Sequence, residues 1–286
     1  MKWTPGTKND DVVDARGKRP SGAVLGAGGV GAALIVFVVA RLLGVDISSL
    51  FGGGGSTTTQ SQTQNDQQEP PKGPDPDAEL VDYVKFVMKD IQDTFEADFR
   101  AEGKPYRRAK LVLFTQAVDT ACGRSSAAIG PFYCPGDSHA YIDLSFYKDL
   151  RARFGAPGDF AQAYVLAHEI GHHVQNLLGT EQGGARLHRG ESRNANSVRI
   201  ELQADCYAGV WGNGAAGKKL LEVGDLEEAL TAASAIGDDR LQKQSGGDVN
   251  PETFTHGTSA QRMKWFRRGF DSGKLGACDT FSVEDL

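Results

Sequence analysis

The sequence predicts an α+β domain held behind a membrane segment and a flexible tether. Three observations carry this. From Ala78 onward, helical apolar spacing gives way to short dense apolar runs and then returns, an order of helix, small sheet, several helices. An uncharged run of about nineteen residues, Gly22 to Ala40, stands ahead of that region. Between the two lies a stretch rich in Gly, Ser, Thr, Gln and Pro that cannot bury enough surface to offset its ordering entropy. The chain has 286 residues, 40% of them hydrophobic, enough for a substantial core. Its net charge of −6 and lack of a basic stripe exclude a nucleic-acid footprint.

The elements follow in order. Residues 1–21 are polar and read as a cytoplasmic N-terminal segment. Residues 22–45 read as one transmembrane helix, rich in glycine, which membrane helices tolerate. Lys2, Lys8, Arg16, Lys18 and Arg19 precede the run, and after Arg41 the next basic residue is Lys72. The positive-inside rule therefore places the N-terminus in the cytoplasm and the rest outside. A cleaved signal peptide is the rival; the long polar start and the absence of a small-x-small site favour an uncleaved anchor. Residues 46–77 form the linker, and residues 78–286 the domain.

Within the domain, Leu80, Val84, Val87, Met88, Ile91 and Phe95 mark one long amphipathic helix. Lys110 to Thr115 reads as a strand buried on both faces. Ala127 to Tyr133 and Ala140 to Leu144 read as two more, joined through Pro135-Gly136-Asp137. Asp159 is placed to cap a helix running to about Leu178, with Gly179 as its stop. Further helices are expected over Ser192 to Val210, Leu226 to Leu241 and Ser259 to Phe270.

The helix after Asp159 carries His168-Glu169-Ile170-Gly171-His172. A shuffled chain of this composition shows such an H-E-x-x-H pentad about once in two hundred tries. Histidines four apart share a helix face, so both can hold one zinc ion, with Glu169 beside it as general base. A catalytic zinc site takes a third protein ligand. Glu201-Leu202-Gln203-Ala204-Asp205 offers Glu201 as that ligand. Asp205, on the same face, can accept the other ring N–H of a ligating histidine. The competing reading makes both acids ordinary helix charges. Glu191 and Glu181 are weaker candidates, one in a polar loop-like stretch and one too close to the pentad helix. His173 points about 100° away from His172, and His139 and His188 sit in loop-like contexts. His256 precedes the last helix, where it can donate to an oxyanion; the alternative is a structural histidine. Arg262 either assists there or pairs with an acid.

Cys122, Cys134, Cys206 and Cys278 allow three pairings. Under the predicted topology all four face an oxidising compartment, which favours disulfides. The most local pair is Cys122–Cys134, leaving Cys206–Cys278 to tie the C-terminal tail to the helix of Glu201. Zinc ligation by cysteine is the rival, but the C-x-x-C spacing is absent.

With these residues in view, the chain resembles the bacterial putative neutral zinc metallopeptidase family. The likeness runs through Met1-Lys2-Trp3, Val13 to Gly17, Gly130 to Pro135, Tyr141 to Ser145, Phe154 to the pentad, Glu201 to Trp211, Ala235 to Leu241 and Phe254 to Gln261. It is also similar to the broader gluzincin pattern, whose third ligand is a Glu in E-x-x-x-D. The resemblance implies a membrane-anchored, zinc-dependent endopeptidase with a gluzincin-like fold. His168, His172 and Glu201 would be ligands to one zinc ion, Glu169 the base, Asp205 the partner behind a ligand, and a peptide or protein the substrate. Tyr141 to Leu144 is expected to be an edge strand that pairs with an extended substrate, making Tyr141 and Asp143 substrate-binding residues; the alternatives are ordinary sheet core and an Asp143 that faces solvent or pairs locally. The rival function is a non-enzymatic zinc-binding envelope protein that presents an interaction surface.

Overall fold

A computed structural model of the protein describes residues 1–17, 73–180, 192–246 and 248–286. Residues 22–45, Glu181, His188 and Glu191 lie outside the described residues. Among the described residues no helix is long and apolar enough to cross a membrane.

The fold is α+β. Helix α1 (Ala78–Ala101) buries Val84, Val87, Met88, Ile91 and Phe95, the stripe that its spacing marks. A four-stranded sheet follows, built from β1 (Val12–Asp14), β2 (Lys110–Phe114), β5 (Phe132–Cys134) and β6 (His139–Asp143). Its order is β1-β2-β6-β5, parallel at β1–β2 and β2–β6 and antiparallel at β5–β6. Leu111, Leu113, Ala140 and Ile142 enter the main core, whereas Phe114, Cys134 and Tyr141 form a small second cluster. The two faces of β2 and β6 are thus both covered, as the dense apolar run of β2 requires.

Helices α2 (Phe146–Ala152), α3 (Asp159–Leu178), α4 (Arg193–Gly217), α5 (Asp225–Ala235), α6 (Asp238–Gln244) and α7 (Ser259–Ser272) complete the domain. Ser192 caps α4 by accepting from the Ala195 amide, and Thr258 and Gln261 form a capping box on α7. Helices α4 and α7 cross at glycine. A Cβ on Gly209 would lie 2.0 Å from the Phe266 carbonyl oxygen, and one on Gly269 would lie 1.9 Å from that of Cys206. Cys122–Cys134 and Cys206–Cys278 are both at bonding distance, the second tying the tail to α4.

Several expectations need correction. The strand Tyr141 to Leu144 is not at an edge: β6 runs between β2 and β5, and β5 is the edge strand. Residues 127–129 form a 3-10 turn, not the start of a strand. A separate hairpin of β3 (Ala117–Thr120) and β4 (Gly123–Ser126) was not anticipated, because Gly123-Arg124-Ser125-Ser126 gives no apolar alternation. The helix expected over 226–241 breaks at Ile236-Gly237, since any Cβ at 237 would sit 2.4 Å from the Ser259 backbone nitrogen. Asp159 is the first residue of α3 and caps nothing; Gly158 holds the cap position, while Gly179 ends the helix with a left-handed φ of 74° as expected. Residues 1–17 are part of the domain: β1 extends its sheet, and the Met1 amine lies against Asp159 and Asp225.

Candidate metal centre

The site forms where α3 crosses α4. Gly171, inside the pentad, makes that crossing close, because a Cβ there would meet the Ala204 carbonyl oxygen at 2.8 Å. The approach brings the Glu201 face of α4 onto His168 and His172. Glu201 Oε2 lies 3.2 Å from His168 Nε2, and Oε1 lies 3.6 Å from His172 Nε2. The two imidazoles stand edge to face with centroids 4.8 Å apart. One donor atom from each of the three residues lies within 4.8 Å of the others.

These separations suit zinc. Four ligands at about 2.0–2.1 Å from a tetrahedral zinc lie about 3.3 Å from one another, between the two distances seen. Two neutral imidazoles and one carboxylate are also the donor set of an open, catalytic zinc site.

Outer residues fix both histidines. His168 Nδ1 meets Asp205 Oδ1 at 2.9 Å, and His172 Nδ1 meets Gln175 Oε1 at 2.8 Å. With each Nδ1–H donating outward, both Nε2 atoms are turned to the cradle, where loss of any proton there leaves a lone pair for a metal. Gln175 in turn donates to the Ile200 carbonyl and to Gln203, and Gln203 donates to the Cys278 carbonyl. Asp205 is fully buried and receives Nε and Nη2 of Arg262 at 2.7 and 2.9 Å, together with the Tyr164 hydroxyl. Arg262 therefore pairs with an acid, and the acid is the one behind His168.

The electrostatics agree with the geometry. Burial opposes the charge on Glu201, but His172, His168 and His256 hold its carboxyl well below the usual range. Burial likewise opposes the charge on Asp205, and Arg262 and His168 outweigh it. Burial lowers His168, but the Asp205 and Glu201 carboxylates more than reverse that and push it up to about 10; a metal ion bound at Nε2 would displace that proton. Glu169, 7% exposed, is raised to about 7, chiefly by burial.

His256 belongs to this neighbourhood, since its charge is felt by both Glu201 and Glu169. Its orientation comes from a residue the sequence reading missed. Buried Asp238 accepts the backbone amides of Thr255, His256 and Gly257 and meets His256 Nδ1 at 3.1 Å. The only signal was an acidic pair after Gly237, and its partner lies 18 residues on. His173 stays out of the site, as expected. Its Nε2 donates to the Arg107 carbonyl at 2.6 Å, its Nδ1 accepts from Tyr133, and burial lowers it to about 4, leaving it neutral. His139 begins β6 beside Asp137. Tyr141 and Asp143 are occupied elsewhere. Tyr141 packs in the second cluster and donates to Asp137, and Asp143 accepts the amides of Gln116 and Ser145.

Comparison with known proteins accords with this site. Residues 1–281 match the family described as putative neutral zinc metallopeptidase. The chain belongs to this family. It is 45% identical over 291 residues to the uncharacterized protein YpfJ of Escherichia coli K12, covering 98% of this chain and 99% of that one. It is 49% identical over 193 residues to the uncharacterized protein Rv2575 of Mycobacterium tuberculosis H37Rv, covering 63% of this chain and 65% of that one. No solved structure matches. Family membership supports a zinc peptidase acting on peptides or proteins.

Proposed function

We propose that the protein is a zinc-dependent endopeptidase in which Glu169 is the general base. The observation that carries this is the convergence of His168 Nε2, His172 Nε2 and the Glu201 carboxylate, with buried Glu169 on the helix of the two histidines. Zinc, when bound, supplies a Lewis acid and brings the pKa of an attacking water toward ~7. Glu169 takes the proton from that water and hands it to the leaving amine nitrogen. Its burial keeps it basic enough for the first step and acidic enough, once protonated, for the second. His256, held at Nδ1 by Asp238, offers Nε2–H to the oxyanion of the scissile carbonyl. Asp205 and Gln175 hold the histidines in register throughout.

Attachment to a membrane through residues 22–45 is supported by the length of the uncharged run, and two cystines favour an oxidising compartment. The rival, a non-enzymatic zinc protein, has no use for a base on the ligand helix. Glu169→Gln decides between them. The full-length protein should cleave an unfolded protein substrate, and the variant should keep its zinc while losing at least about 10²-fold in kcat/KM. Equal cleavage by the two proteins would sink the mechanism.

A further inference from the structure

The sheet edge along β2, and the groove from it across α1 to the start of α5, are filled by residues 1–17. Every part of that segment is engaged. The Lys2 amide donates to the Leu220 carbonyl at 2.7 Å, and Trp3 stands edge-on to Tyr83 with centroids 5.6 Å apart. Asn9 donates to the Lys85 carbonyl at 3.0 Å. Asp11 accepts from Arg108 at 2.6 Å and Lys110 at 3.1 Å. Val12, Val13 and Asp14 pair with Leu111, Val112 and Leu113. The ladder continues outward, with the Leu111 amide donating to Asp11 and the Ala15 amide to Leu113. Finally Arg16 Nη2 lies 2.6 Å from Asp75 Oδ2.

That last pair has a topological meaning. Residues 16 and 75 touch, so whatever residues 18–72 do, they leave and return at one point. A single membrane crossing would hold its two flanks apart by the ~30 Å apolar core. A second crossing would have to come from residues 46–72, whose Gly, Ser, Thr and Gln content cannot supply one. Arg16, one of the five cations ahead of the uncharged run, is paired with Asp14 and Asp75.

We propose that the β2 edge and the adjoining groove are a binding surface for residues 1–17 of the same chain, so that the N-terminal segment and the zinc site share one side of the membrane. The predicted separation of residues 1–21 from the domain by the membrane is thereby replaced. The segment acts as a strap across α1, β2 and the loop before α5, with its Arg16 end held beside Asp75. This inference does not depend on the peptidase reading.

The test uses the full-length protein in its native membrane. Val13→Cys with Val112→Cys joins facing residues of the ladder, and a protease site inserted in the 46–77 tether cuts the chain between them. After cutting, the two fragments should run together without reductant and separate with it. A single Lys8→Cys or Lys243→Cys, both exposed positions, should react with a membrane-impermeant maleimide from the same side. Labelling of Lys8→Cys only from the face opposite Lys243→Cys would overturn the proposal. So would a cross-link that joins two chains instead of one.

Discussion

Helix α3 gathers three ligand-type side chains at each of two places. At its first turn Asp159 lies with Asp225 and Glu228; about 13 Å further along, His168 and His172 meet Glu201. In both groups the donor atoms fall within 4.8 Å of one another. Proximity is therefore not what separates them. The first group is all carboxylate and already holds a cation, the Met1 amine, with Glu228 also accepting the Phe160 amide at the start of the helix. Negative charge belongs there, where the helix dipole favours it. The second group has two imidazoles whose outer nitrogens are committed to Asp205 and Gln175, and its three donors include no lysine, arginine or amine. The cation nearby, Arg262, sits one layer out and neutralises Asp205 instead. What makes a metal site is the ring of partners that orients its donors and leaves the centre to the ion.

The largest expected effect breaks this comparison directly. Elemental analysis should find one zinc per chain; Glu201→Ala should reduce it to background, whereas Asp225→Asn should leave it unchanged. Zinc lost equally from both variants would mean that the two groups do not differ as described. Next in size, Arg262→Met leaves the buried charge of Asp205 without its cation. Urea unfolding should show a loss of about 3–5 kcal/mol. Asp205→Asn should instead lower zinc affinity by about 10–100-fold in competition with a chelator. The smallest effect extends the comparison to a carboxylate with one oxygen buried and unbonded. Asp98 has a buried oxygen that makes no hydrogen bond, and burial, with help from Glu102, raises it from 3.8 to about 6. The folded state thus binds more protons than the unfolded state between about pH 4 and pH 6, and stability falls as pH rises through that window. Asp98→Asn should be the more stable protein by about 1 kcal/mol at pH 7, after allowance for partial exposure, with the gain gone below about pH 4. A constant difference across pH would reject this account.

Much of the site was legible in the sequence because helix periodicity is local. The pentad, E-x-x-x-D and their shared faces needed only 3.6 residues per turn. The cysteine pairing followed once the local pair was chosen. What escaped depends on distant partners. Asp238 gains its role from a loop 18 residues away, and β1 is three residues long in a charged stretch, recognisable only beside β2. The interior position of β6 is likewise set by pairing on both sides, which its own residues cannot announce. The end of α4 is set by distant contacts in the same way: the helix expected to stop at Val210 continues to Gly217, with α7 and α1 packed against Gly209, Gly212 and Gly214.

The crossing of α4 and α7 at Gly209 and Gly269 also governs how this protein can vary. In a saturation mutagenesis experiment scored by survival of the folded chain, those two columns should be empty of substitutions, since even alanine strikes backbone. Gly217 and Gly276, with open space around them, should accept most residues. Neither intolerant glycine touches the metal cradle, yet they set the distance between Arg262 and Asp205. Directed evolution of this scaffold would thus find its rigid boundary at two residues that have no side chain.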